Sequence, residues 1–588
     1  MSNSISRRAL IQRSLAGFGA LSLPVGLTAC GDDNDSSIKP TTKATFKHGV
    51  ASGDPLKDRV ILWTRITPED TSLRLEVVWE IATDDKFTQI INTGKVQTTA
   101  AQDFTIKVDA DKLKSGQIYF YRFKFGSVTS PVGRTKTLPE TTSSVQFAVC
   151  SCANYPAGYF HVYKEMAKQE LDAIIHLGDY IYEYGQGGYA TADAEKLGRT
   201  FAAGNENEII KLDDYRKRYA LYRLDVDLQA AHHRHPFIVI WDDHELANDA
   251  WKDGAGNHQS NEGPFLDRKL AALQAYFEWM PIRPVSETDH LNIYRQFDFG
   301  SLVQLTMLDT RILARDKQLD YADYMTASGM DFARFQADLT STTRTLVGYT
   351  QRAWLQQKLA QSTATWNVLG QQVLMSKMLI PAELLLSLAA ITSGNATSEV
   401  LAQMNQQITE LVTIKIRLQK GDPSLTAEEK ARVTTVAPYN LDAWDGYYVE
   451  REVLYGTLKA LNKKVVVLAG DTHNAWSADL HSQAGDFVGV ELATSSVSSP
   501  GLEEYLNIPM AQLQQFEMAF TTLIDELNYA NLNQRGYLKV NFTAQQVQAD
   551  WVFMSTIKDK SYIVDTARGH QLVLNSALVD VATVQKSA

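Results

Sequence analysis

At 588 residues the chain is longer than one domain of roughly 100–200 residues, so at least two compact units are expected. Its hydrophobic fraction of 44% and charged fraction of 21% are ordinary globular values and exclude a disordered or collagen-like chain. A net charge of −11 argues against a nucleic-acid-binding module, which gains affinity from a basic surface, but leaves room for a local metal-lined pocket.

Taken in chain order, the N-terminus has its own logic. Ser6-Arg7-Arg8 leads into the weakly apolar run Leu15 to Leu23, interrupted by Pro24, which resembles a twin-arginine signal peptide. A membrane span is excluded by length, since crossing needs about 20 apolar residues. Leu27-Thr28-Ala29-Cys30 resembles a lipobox, with Cys30 as the lipidated residue. The expectations are a leader over 1–30, a linker over 31–44, the twin-arginine export machinery as a partner, and a membrane attachment through Cys30 where the lipobox is used. A periplasmic or cell-envelope lipoprotein, or a secreted protein, follows.

After Cys30 the remaining cysteines are Cys150 and Cys152, which excludes a disulfide scaffold. An extended strand does not bring two cysteines one residue apart into bridge geometry. At least one therefore reads as a functional thiolate, the alternative being two inert buried thiols.

From Thr45 to about residue 140 short alternating runs (Val60–Trp63, Leu73–Ile81, Phe104–Val108, Tyr119–Phe125) predict an all-β sandwich. Leu113 to Arg122 resembles the tyrosine corner of a fibronectin III-like domain. From 141 onward the runs Val145–Val149, Ala173–Leu177, Phe237–Trp241, Leu302–Leu308, Trp366–Leu369 and Lys464–Ala469 read as strands buried on both faces, with helices between, so an α/β domain over 141–588 is expected. A helical insertion is predicted over about 320–440, and a strand pair over Gly536–Phe542 and Val547–Phe553.

Four strand ends carry chemically capable residues: Cys150-Ser151-Cys152-Ala153-Asn154, Gly178-Asp179-Tyr180-Ile181-Tyr182-Glu183, Trp241-Asp242-Asp243-His244-Glu245 and Gly470-Asp471-Thr472-His473-Asn474. Taken singly each is weak, because an Asp after a strand is commonly a helix cap and a lone histidine is commonly a hydrogen-bonded core residue. Together they converge on one crevice, since strand ends of an α/β sheet meet there, and a metal site is the simplest reason to gather carboxylates, imidazole and thiolate. His232, His233 and His235 form a second histidine group, read as a polar loop before a strand. Arg311 is open between a phosphate clamp and a partner for structural carboxylates.

The order of these motifs resembles the calcineurin-like metallophosphoesterase superfamily, and in its particular residues the PhoD-like branch. The resemblance also covers Gly49 to Pro55, Leu308 to Arg311 and Trp366 to Val373. It implies a four-layer αββα domain preceded by the sandwich. It further implies Cys152, Asp179, Tyr182, Asp243, Asp471 and His473 as metal ligands, with Asp179 bridging, Asp243 standing where the superfamily carries asparagine, and His244 contacting the phosphate or protonating the leaving group. Asn154 and Asn248 are outer-shell or further calcium candidates, and Arg311 is an outer-shell or substrate candidate. Ferric iron suits thiolate and phenolate, and calcium suits the oxygen-rich neighbourhood; the family implies one Fe3+ with two Ca2+. The expected activity is metal-dependent hydrolysis of phosphate monoesters and diesters by a monomer acting as an alkaline phosphatase. The alternatives are a phospholipase D-like or teichoic-acid-type phosphodiesterase, and a lipid-anchored binding protein with a structural metal.

Overall fold

The computed structural model describes residues 42–285, 291–327, 329–392 and 398–575. The expected leader, Cys30, nearly all of the linker, and the chain after Asn575 lie outside the described residues. Two compact units are present. One comprises the chain to Pro139 together with Ile210–Val239 and Asp267–Ile293, so it draws on more than the N-terminal 140 residues; the other comprises Glu140–Ile209, Ile240–Leu266 and the chain from Tyr294 onward.

In the first unit, strands Pro236–Val239, Val50–Gly53, Val60–Arg65 and Thr105–Ala110 pair in that order, and Gly133–Lys136, Ile118–Phe125, Leu75–Ala82 and Ile90–Thr98 form a second sheet. Alternation decides which side chains enter the core. Along Ile118–Phe125 the residues Tyr119, Tyr121, Phe123 and Phe125 are buried and their neighbours are not. The Tyr119 hydroxyl accepts from the Lys114 amide at 2.8 Å, as a tyrosine corner does. His232 and His233 lie on a helix, Val226–Arg234, and not on the expected loop. Asp225 starts that helix by accepting from the Asp227 and Leu228 amides. His232 stacks on Phe237 at 3.8 Å, and His233 Nε2 accepts from Val50 N.

Among the described residues the second unit carries strands of two large sheets, besides two small two-stranded ones. Strands His570–Asn575, Gln546–Phe553, Gly536–Thr543, Ser144–Cys150 and Ala173–His176 pair in that order, the last two in parallel. The other sheet runs Arg295–Phe299, Val303–Met307, Trp366–Gly370, Val465–Ala469, Phe487–Ala493, Ala475–His481 and Leu527–Asn531. Its parallel strands Val303–Met307, Trp366–Gly370 and Val465–Ala469 are buried at every position, the pattern of strands covered on both faces.

The sheets face one another. Phe147 meets Phe299 edge-on at 5.0 Å, Trp366 Nε1 donates to Thr543 O at 2.7 Å, and Trp551 Nε1 donates to Ala493 O at 2.9 Å. Helices Gly348–Gln361 and Tyr448–Ala460 set Leu355, Leu359, Leu454 and Leu458 into one core with Val465 and Val467. Helix His161–Ala167 packs by Gly536–Thr543, completing an α/β order of helix, sheet, sheet, helix.

The helical insertion expected over about 320–440 is not one continuous body. Trp366–Gly370 inside it is a central strand, as its own apolar run predicts. The helices Ala382–Thr392, Ser398–Gln419 and Ala427–Thr434 follow it, the last opened by a Thr426/Glu429 capping box. Among the described residues no helix is long and apolar enough to cross a membrane.

Candidate metal centre and active site

Each chemical motif sits where a strand stops. Ser144–Cys150 runs into Cys152, Ala173–His176 into Asp179, and Val465–Ala469 into Asp471 and His473. Cys152, Asp179, Asp471 and His473 all adopt positive φ, between 55° and 61°. Non-glycine residues rarely hold that conformation, and its concentration at one place marks a site where the fold overrides local preference. Gly178 makes the crossing possible: its φ is +109°, and a Cβ there would lie 2.4 Å from Asp242 Cβ. Glu245 joins two of the loops, accepting from Asp179 N at 3.0 Å and Asp242 N at 2.7 Å.

Three groups of potential ligand atoms, each within 4.8 Å, form a chain: Cys152, Asp179 and His473; then Asp179, Asp243 and His244; then Asp242, Asp243 and Asp471. Asp179 and Asp243 each belong to two groups, the arrangement a shared bridging carboxylate requires. Asp179 Oδ1, Asp242 Oδ2 and Asp243 Oδ1 are buried and accept no hydrogen bond among the described residues. Burial pushes the Asp179 carboxyl up to about 6 and Asp471 to about 7, and lifts Asp242 far above the ordinary carboxylate range. Asp243 goes the other way, to about 2, because the Arg311 and His244 charges outweigh its burial. Buried carboxylates with unused oxygens need cations. The donor set fits this: thiol, phenol and imidazole at one end, oxygens alone at the other.

Tyr182 belongs to the sulfur end. Its hydroxyl donates to Asp179 Oδ2 at 3.0 Å, accepts from Ser499 Oγ at 2.6 Å, and lies 3.3 Å from His473 Nε2. His473 Nδ1 faces the Pro500 carbonyl at 2.6 Å, which fixes the proton on Nδ1 and leaves the Nε2 lone pair toward Tyr182 and the cluster. Burial lowers its pKa to about 3, so this imidazole is neutral and able to ligate.

His244 has the opposite character. Burial alone would disfavour its charge, but the Glu183 carboxylate, followed by Asp243 and Asp179, raises its pKa well above the ordinary value. Glu183 Oε2 lies 2.7 Å from His244 Nδ1, and Glu183 Oε1 accepts from Asn248 N and Asn257 Nδ2, both at 2.8 Å. One imidazole is thus held neutral and the other charged.

Arg311, 1% exposed, is committed to carboxylates. It contacts Asp242 through Nε, Asp442 through Nη1 at 2.6 Å and Asp471 through Nη2 at 2.9 Å, with Asp243 3.9 Å away. Of its two sequence readings, the geometry favours the structural pairing. Asn248 donates its amide N to Glu183 and its side-chain N to Asp249, outside the three ligand groups. Asn154 is buried, and neither its Oδ1 nor its Nδ2 has a partner among the described residues. Cys150 is buried in its strand, and burial alone raises its thiol pKa.

Sequence reasoning passed over four residues. Glu183 and Asp242 stood inside the quoted motifs without a role, and a carboxylate adjoining each motif was the available signal. Asp442 and Ser499 carried none: both follow no strand motif and reach the centre through tertiary folding.

Comparison with known proteins gives the family. Residues 147–551 match the PhoD-like phosphatase family and residues 33–139 its N-terminal domain. Alkaline phosphatase D of Bacillus subtilis (strain 168) is 33% identical over 584 residues, covering 96% of this chain and 87% of that protein. A solved structure described as that of PhoD superposes with a TM-score of 0.71 at 32% identity, over 92% of this chain and 93% of its own. With groups of potential metal ligands at the strand ends and matches along nearly its whole length, the chain belongs to the PhoD-like phosphatase family, and it is a phosphoric ester hydrolase.

Proposed function

We propose that the protein is an exported alkaline phosphatase hydrolysing phosphate monoesters and diesters with one ferric iron and calcium. The observation that carries the metal assignment is the run of three ligand groups sharing Asp179 and Asp243. Cys152, Asp179, Tyr182 and His473 would hold the iron, and Asp179, Asp243, Asp242 and Asp471 offer the all-oxygen positions for calcium. When bound, the cations would polarise the phosphoryl oxygens and lower the pKa of the attacking water. Export rests on Ser6-Arg7-Arg8 and the run to Leu23, and lipid attachment on Leu27 to Cys30. The protein is taken to act as a monomer.

The remaining roles belong to the chain itself. His244, held by Glu183 and charged, donates its proton to the departing alkoxide from Nε2 while Nδ1 stays paired with Glu183. Arg311 fixes Asp242 and Asp471, so that both carboxylates present one orientation. Ser499 and Pro500 fix Tyr182 and His473 respectively. Hydrolysis of p-nitrophenyl phosphate and bis-p-nitrophenyl phosphate by the full chain, before and after chelation, tests the reading. Turnover of both esters that chelation abolishes supports it, and hydrolysis of the diester alone favours the phosphodiesterase alternative. Tightly bound metal with no hydrolysis of either ester would instead indicate a binding protein.

A further inference from the structure

Between the ligand groups and solvent stands a set of aromatic rings for which the hydrolytic chemistry has no use. Tyr189 lies on the connection between Tyr182 and Ile209, and Tyr505 ends the short helix Leu502–Tyr505. Their hydroxyls are 2.6 Å apart, their ring centroids 6.3 Å, and their planes within 5° of parallel. The Tyr189 ring is 5.8 Å from Tyr182 and 6.5 Å from His244, its plane 2° from that of the imidazole. Tyr184 adjoins both, 5.6 Å from Tyr189 and 5.5 Å from His244. The series therefore begins at buried Tyr182 and His244 and ends at Tyr505, which is 46% exposed.

Ordinary core packing does not account for an exposed tyrosine aligned with a half-buried one beside a proton-donating histidine. One hydroxyl donates to the other, and the Tyr189 oxygen also lies 3.4 Å from His473 Nδ1, so what the two residues offer a visitor is mainly their faces and edges. The nearby cation Arg535 is paired with Glu503 at 2.6 Å, which leaves its charge compensated and the rim suited to a neutral group. An alcohol leaving past His244 meets these rings first.

We propose that Tyr189 and Tyr505, with Tyr184, form a leaving-group subsite selecting phosphate esters whose alcohol carries a flat, uncharged ring. This rests on the phosphatase reading and on His244 marking the leaving-group side. Stacking or edge-to-face contact with such a ring accounts for a preference of roughly threefold to tenfold over a ringless alcohol.

The test uses benzyl phosphate and ethyl phosphate, whose leaving alcohols have similar acidity and differ by the ring. Values of kcat and KM are measured for the wild-type protein, Tyr505→Ala, Tyr189→Ala and Tyr505→Phe. The expected result is a benzyl-over-ethyl preference in kcat/KM that falls roughly threefold to tenfold in both alanine variants, through a higher KM for the benzyl ester. Tyr505→Phe retains the preference, since it keeps the ring and loses the hydroxyl contact. An unchanged preference in both alanine variants, or a loss in Tyr505→Phe as large as in Tyr505→Ala, overturns the subsite. A wild-type protein that hydrolyses neither ester overturns the monoesterase reading beneath it, which separates the two failures.

Discussion

Glu183 Oε2 lies 2.7 Å from His244 Nδ1, and backbone and side-chain amides of Asn248 and Asn257 hold the other oxygen of that carboxylate. The pair sets both the direction of the imidazole and its charge. Replacing Glu183 by Gln keeps an acceptor but removes the charge that stabilises the imidazolium. Steady-state kinetics on an alkyl phosphate ester should show kcat falling about a hundredfold with little change in KM. An unchanged kcat would mean that His244 transfers no proton in the limiting step.

Arg311 binds three carboxylates from separate segments, Asp242, Asp442 and Asp471. Arg311→Met removes the charge partner of buried Asp242 and of the partly exposed Asp442 and Asp471, and unfolding in denaturant should show a loss of about 3 kcal/mol. Arg311→Lys should recover only part of it, because one ammonium does not span three directions. A loss below about 1 kcal/mol would show that the carboxylates are compensated in another way.

Cys150 and Cys152 are separated by one residue yet differ in surroundings. Cys150→Ala should keep metal content and activity and cost about 1 kcal/mol from the cavity it leaves. Metal analysis and a denaturation midpoint decide this; loss of metal in Cys150→Ala would exchange the roles of the two thiols.

Much of this arrangement was legible in the sequence because it is local. The strands carrying the motifs announce themselves as apolar runs, and Asp179, Asp243, His244, Asp471 and His473 each follow one closely. Partners that arrive from distant segments were not legible: Asp442 reaches Arg311 across 131 residues, and Ser499 reaches Tyr182 across 317. The breadth of the first unit was hidden for the same reason. Ile210–Val239 and Asp267–Ile293 join it through tertiary packing, which no local periodicity encodes.

Glu526 offers a pH test away from the ligand groups. Burial pushes its carboxyl up to about 7, against backbone contacts from Lys377 and the Lys377 charge, which lower it. The folded state then binds the proton more tightly than the unfolded one, so its contribution to stability is present below pH 4.5 and is lost as pH rises to about 7. The stability difference between Glu526→Gln and the wild type should therefore change by about 3 kcal/mol across that window, in favour of the variant at the higher pH. A difference independent of pH would show that Glu526 titrates normally.

The most direct test of the central claim is metal analysis of the full-length protein purified without added metal, paired with p-nitrophenyl phosphate hydrolysis by the wild type and Cys152→Ala. The account predicts about one iron per chain and turnover in the wild type, with both lost in Cys152→Ala. Full hydrolysis by the iron-free protein, or an unimpaired Cys152→Ala, would contradict it.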